Sequence, residues 1–229
     1  RAPLWAATAA SALACAAVAA LVPRTIDAPG ASFAGLGALL RRGEVLSVLG
    51  TTLLYFGAIF AVFSYIGPVL RALGSVSDAT LSVTLMFFGC AGVAGTLVGG
   101  WAADRFGALP SLRVLLGTFT LTLAVVPLTE GRYAPMLAAF MVWGVCGFGL
   151  MAPQQMRLVA VDLPRSPLLL SLNSSMMYFG MALGAAVGGA LLPIAGFARL
   201  AWVGAPLALA AFALLLRAGS RRAGGPAAA

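Results

Sequence analysis

The chain has few side chains able to do chemistry. Of its 229 residues only six are Asp or Glu and 14 are Lys or Arg, all of them Arg; there is no His. Without His or Lys there is no imidazole base, no His-based metal site and no Schiff-base lysine. Cys15, Cys90 and Cys146 stand in apolar runs with no shared spacing and read as buried free thiols. No metal and no cofactor is expected. The one dense polar constellation is Gly99-Gly100-Trp101-Ala102-Ala103-Asp104-Arg105-Phe106-Gly107, which closes a charge-free apolar run. A carboxylate at the C-terminal end of a helix meets the negative end of the helix dipole, so Asp104 needs compensation. Arg105, Arg113 or the amides opening the next helix are the candidates. Gly107 reads as a turn residue with positive φ.

The elements that position this loop are membrane spans. The chain is 62% hydrophobic and 9% charged, with a mean hydropathy of +1.03; a soluble domain carries about a quarter charged residues. The formal charge of +8 belongs in cytoplasmic loops and implies no nucleic-acid partner. Apolar runs long enough for a helix to cross a bilayer fall at 2–22, 45–67, 80–103, 114–129, 133–156, 167–193 and 200–216. The fold class is therefore all-α, with seven transmembrane helices. The run 2–22 is too long for a signal-peptide core and lacks a convincing cleavage site, so it reads as a span. Residues 23–44 form a connection whose apolar patch, Phe33–Leu40, suits a short amphipathic turn on the membrane surface. Residues 218–229 read as a disordered tail. Ten of the 14 arginines fall in the odd-numbered connections and the C-terminus. The positive-inside rule then puts the N-terminus outside and the C-terminus in the cytoplasm, as expected if an odd number of spans comes before residue 1.

No span carries a charge in its interior, so no intramembrane proton or cation carrier is in sight. The polar residues inside spans are neutral. Tyr55 and Trp143 sit at mid-depth, away from the interfaces that such aromatics favour, and suggest a pocket lining. Asn173, Ser174 and Tyr178 enrich one end of the span 167–193, and Gln154-Gln155 close the inner end of 133–156 after Gly144, Gly147, Gly149 and Pro153. That composition lets the span bend at its inner end. Gly95 and Gly99, and Gly180, Gly184 and Gly188, are four apart, so each set forms a flat stripe on one helix face.

Three stretches carry a family resemblance. Gly100-Trp101-Ala102-Ala103-Asp104-Arg105-Phe106-Gly107 resembles the signature loop of the major facilitator superfamily. Phe63-Ser64-Tyr65-Ile66-Gly67-Pro68-Val69-Leu70, and Ser171-Leu172-Asn173-Ser174-Ser175 followed by Tyr178 to Gly189, resemble its C-terminal half. The closest flavour is the drug/proton antiporter and sugar-efflux branch. The basic residues that usually follow the final Gly are replaced by Ala108-Leu109-Pro110, which weakens the loop's claim to be the main gating latch.

The resemblance implies that residues 1–22 correspond to the last helix of an N-terminal half, 23–44 to the central cytoplasmic loop and 45–217 to a C-terminal six-helix bundle. It implies a multi-pass protein of the plasma membrane, the bacterial inner membrane in this branch. The partners implied are a small-molecule substrate, protons, the lipid bilayer and the missing N-terminal six-helix half. Alternating access would rock one half against the other. In that scheme Gly100, Asp104, Arg105, Gly107 and Arg113 form the gating loop; Tyr55, Trp143, Asn173 and Tyr178 line the substrate cavity; and Gly95, Gly99, Gly180, Gly184 and Gly188 form the half-to-half interface. The expected function is proton-coupled efflux of a small organic solute such as a drug or sugar. The alternative is a complete seven-span receptor-like or structural protein, which leaves the loop and the glycine stripes unexplained. A membrane enzyme lacks the His, Lys or intramembrane acids it would need.

Overall fold

The computed structural model describes residues 2–21 and 36–223. Residues 1 and 22 of the expected first span, 23–35 of the expected central connection and 224–229 of the expected tail lie outside the described residues. The chain divides into two units, Arg1–Ser32 and Phe33–Ala229. The first holds one helix, α1 (Ala2–Leu21), whose 20 residues give about 30 Å of length.

The second unit begins with a short helix, α2 (Leu36–Arg41). Its Leu39 is buried with Val45, Val48, Leu49, Leu158, Leu168 and Leu169. The apolar patch expected to lie on the membrane surface is thus tucked into the inner end of the bundle at this residue. Six helices long and apolar enough to cross a membrane follow among the described residues: Gly43–Phe63, Asp78–Phe106, Ala108–Thr129, Tyr133–Val159, Ser166–Ala195 and Ala201–Ala218. In finer detail these are α3 (Gly43–Phe63), α5 (Asp78–Phe106), α6 (Ala108–Val125, ending in a 3-10 turn at Val126–Thr129), α7 (Tyr133–Gly149) with α8 (Met151–Val159), α9 (Ser166–Ala195) and α10 (Ala201–Ala223). Between α3 and α5 lies α4 (Ile66–Gly74). The short run at 114–129 reaches full length because its helix starts at Ala108 and takes in Arg113. At the C-terminus α10 runs to Ala223, past the point where an unstructured tail was expected.

Within this unit α3 is central. It packs on α9 and α10, α5 packs on α7, and α6 bridges α10 and α7. Two-thirds of the apolar core of α3 (67%) is buried, against 28% for α5 and 17% for α9, which leaves α5 and α9 with long open faces. Lipid tails are as apolar as leucine, so helices associate in a bilayer through close contact rather than water exclusion. Glycine supplies that contact here. A Cβ on Gly180, Gly184 or Gly188 would strike the backbone of Leu53, Gly57 or Ala61 on α3. A Cβ on Gly95 or Gly99 would strike Val145 or Gly149 on α7. The stripes expected at a half-to-half interface are therefore consumed inside this bundle. The i, i+4 spacing predicts a face that meets another helix closely, and α3 and α7 are those helices.

The span expected to bend is broken by one residue: α7 stops at Gly149 and α8 begins at Met151, with Leu150 between them in helical backbone, φ -66° and ψ -22°. Pro153 has no N–H to give the Gly149 carbonyl, which removes one rung at the joint. The turn from α5 to α6 is a single residue. Gly107 has φ +89° and ψ 159°, its N–H donates to Ala103 O at 2.9 Å, and its carbonyl accepts from Ser111 Oγ at 2.8 Å. That region of backbone space is open essentially to glycine alone.

Two substitutions test these constraints. Gly184→Leu should lower stability by at least about 1–3 kcal/mol, since the new side chain meets backbone that cannot yield. Gly89→Leu, at a position with nothing within 4 Å, should be near neutral. Gly107→Ala should cost about 1–3 kcal/mol through strain alone. Thermal unfolding of the purified variants in detergent reads all three.

Candidate functional site

Four groups of residues need placing, beginning with the loop. Asp104 and Arg105 are exposed in the last turn of α5, and Gly107 ends that helix. Asp104 is not a member of the ion pairs Arg42–Asp162 at 3.0 Å, Arg165–Asp162 at 3.4 Å and Arg71–Asp78 at 2.6 Å. Arg113, expected as its compensating cation, is half-buried on α6, and its Nε is buried without a hydrogen-bond partner. Gly100 faces open space. The carboxylate thus stands at the negative end of α5 without a cation, available to a donor from elsewhere. Arg42, between α2 and α3, instead meets Asp162, between α8 and α9. That bond ties the two inner connections together.

The four expected cavity residues separate into three environments. Tyr55 (2% exposed) and Trp143 (1%) are buried in the core of the bundle. Trp143 lies among Phe140, Phe88 and Phe119, with ring centroids 5.1, 5.2 and 6.5 Å away. Mid-depth aromatics here fill the space between helices, where a large rigid side chain contributes most contact. Asn173 is buried on the inner half of α9. Its Oδ1 accepts from Thr52 Oγ1 at 2.6 Å, and Thr52 Oγ1 in turn accepts from Gln154 Nε2 at 2.9 Å. Gln154 Nε2 also donates to Val48 O at 2.8 Å. Three helices, α3, α8 and α9, are joined by this neutral chain.

Tyr178 is 65% exposed on α9. Ser171, Ser174 and Ser175 are exposed with it, and the spacing 171, 174, 175, 178 puts all four on one face. The three serines donate to carbonyls of their own helix, those of Pro167, Leu170 and Ser171, and so keep oxygen lone pairs free to accept. Three hydroxyls and a phenol on one open face of a span do not suit lipid; they suit water or a polar partner.

Sequence reasoning missed Thr52 and Arg157. Arg157 was assigned to a connection, yet it lies on α8, is buried, and places NH2 3.4 Å from Ser47 Oγ. A run-length reading of hydropathy misses such a buried cation. Thr52 looked like one hydroxyl among many; its partners are 102 and 121 residues away. A cleft of about 650 Å³ lined by Gly43, Glu44, Leu46, Ser47, Leu214 and Arg217 opens at the inner ends of α3 and α10. It includes none of the four expected cavity residues. No cluster of His, Cys, Asp or Glu among the described residues could hold a metal ion.

Comparison with known proteins gives the family. The family model described as Major Facilitator Superfamily matches residues 1–168. An uncharacterised MFS-type transporter of Bacillus subtilis, YbcL, is 30% identical over 73% of this chain and 43% of its own length. The inner membrane transport protein YdhP of Escherichia coli K12 is 34% identical over 68% of this chain and 40% of its own. A probable sugar efflux transporter of Mannheimia succiniciproducens is 26% identical over 82% of this chain and 47% of its own. The chain thus spans less than half the length of these relatives. From the glycine-packed spans, the Asp104 loop and a family match covering most of its residues, the chain belongs to the Major Facilitator Superfamily, a family of multi-pass membrane transporters and not of enzymes.

Proposed function

We propose that this chain is the C-terminal portion of a secondary transporter that exports a small organic solute against proton influx by alternating access. The observation that carries the reading is the character of the polar groups held within the spans. Thr52, Gln154, Asn173, the α9 serines and Tyr178 are neutral, and the charged side chains on the spans, half-buried Arg113 and buried Arg157 among them, stand within two turns of a span end. Such a surface binds an uncharged or weakly polar solute through hydrogen bonds, and leaves proton carriage to acids outside this chain. The probable sugar efflux transporter among the relatives supports the same class of solute and the same direction. In this reading the open side of α5 meets the other six-helix half and the exposed polar face of α9 lines the solute path between the halves, with the C-terminus in the cytoplasm of a bacterial cell. Membrane vesicles holding the product of the full open reading frame test this. Solute accumulation should follow an imposed pH gradient and collapse with a protonophore; movement indifferent to the gradient contradicts proton coupling.

Asp104 has its role in the cycle. In one state it meets a donor across the half-to-half interface, which offsets the helix-dipole repulsion; in the other it is released to water. Asp104→Asn should shift the ratio of inward- to outward-facing molecules about two- to fivefold toward the released state, the equivalent of about 0.5–1 kcal/mol. Sided labelling of single cysteines reads that ratio; an unchanged ratio with unchanged transport rules the role out.

A further inference from the structure

The cleft of about 650 Å³ at the inner ends of α3 and α10 is where two kinds of surface meet. The first is apolar and open. On α10 the residues Trp202, Pro206, Leu209, Ala213 and Leu216 recur every three or four positions and are all exposed, so they form one uncovered face. Trp202 gives its indole N–H to Ala124 O at 3.0 Å, which leaves that face without a donor. Leu214 and Leu46, the latter 52% exposed, carry the apolar surface into the cleft from α10 and α3. The second surface is cationic. The exposed face of α10 ends at Arg217, which lines the cleft, and Arg221 and Arg222 follow in the last turns of a helix whose sequence holds no acid. Arg41 ends α2, just before α3 starts. Among the lining residues Glu44 is the acid set against these cations.

We propose that this cleft binds an anionic phospholipid of the adjoining leaflet, of the phosphatidylglycerol class. Its phosphate lies on Arg217, its headgroup hydroxyls donate to Glu44, and an acyl chain runs along the open face of α10. A guanidinium carries five N–H donors in a fork, so Arg217 can hold phosphate oxygens beside the contacts it already makes. Its long stem follows apolar surface while its head stays at headgroup depth. The surplus of cations favours a net negative head over a zwitterionic one. A soluble anion would find the guanidinium and gain nothing from the apolar face, so a lipid fits the whole surface better. The site needs only a chain that spans a bilayer and does not depend on the transport reading.

The test uses the product of the full open reading frame in nanodiscs of phosphatidylcholine doped with phosphatidylglycerol. Native mass spectrometry counts the lipids that each released molecule retains. The wild type should retain phosphatidylglycerol well above its share of the bilayer. Arg217→Gln should lower that excess about fivefold, the factor that one arginine contributes near an anionic surface. Glu44→Gln should raise it by a similar factor. Leu46→Trp fills the cleft without changing its charge and should lower retention as far as Arg217→Gln does. Arg105→Gln, exposed at the end of α5 and outside the cleft, should leave it within about twofold of the wild type. Retention of both lipids in proportion to the bilayer overturns the site. So do equal losses in Arg217→Gln and Arg105→Gln with none in Leu46→Trp, which would show attraction spread over the whole inner surface. Glycerol 3-phosphate stabilising the detergent-solubilised protein against heat as strongly as phosphatidylglycerol does would overturn a lipid as the occupant.

Discussion

Backbone meets backbone along two seams of this bundle, and the rest of the structure follows from that contact. Along one, Gly180, Gly184 and Gly188 of α9 lie against Leu53, Gly57 and Ala61 of α3. Along the other, Gly95 and Gly99 of α5 lie against Val145 and Gly149 of α7. In an apolar solvent such close approach supplies dispersion contacts that side chains at a larger separation would not. It also fixes depth and rotation. With its glycine face committed to α3, α9 must turn Ser171, Ser174, Ser175 and Tyr178 to the open side. With its glycine face on α7, α5 carries Asp104 out at its end.

The same commitment separates packing from polar function. The aromatic core around Trp143 and Phe88 fills the volume between helices. Polar side chains collect in two other places: the Gln154–Thr52–Asn173 chain, where α8, α3 and α9 converge, and the open face of α9. The first lies beside a joint that can bend, and the second on a helix that is little buried. A carrier that must open and close needs polar groups in such mobile or uncovered positions, since a rigid core transmits strain instead of absorbing it.

Much of this was legible in the residues. Hydropathy and length place the six spans to within a few residues, and Gly107 declares its turn because no other residue suits its backbone. The break at Leu150 falls between Gly149 and Pro153, residues that weaken a helix. What was not legible is direction. A glycine stripe at i, i+4 spacing has the same appearance whether its partner is in the same half or another. Tyr55 and Trp143 sit at a depth that suggests a pocket, yet depth says nothing of which way a helix faces. Thr52 gains its role from Gln154 and Asn173, each more than 100 residues distant. Arg157 falls beyond the apolar run and is nonetheless buried, because a long stem can follow the bundle inward.

The division between a glycine face committed to α3 and an open polar face of α9, on the proposed solute path, is tested most directly by thiol accessibility. Cys15, Cys90 and Cys146 are first replaced, and single cysteines are placed at Ser174, Tyr178 and, on the outer side of α10, Leu209. A membrane-impermeant maleimide is then applied to both sides of native membranes. Ser174→Cys and Tyr178→Cys are expected to label many times faster than Leu209→Cys, which should face lipid. Labelling of all three at one slow rate would show that the α9 face lies in lipid, and the solute path would have to be sought elsewhere.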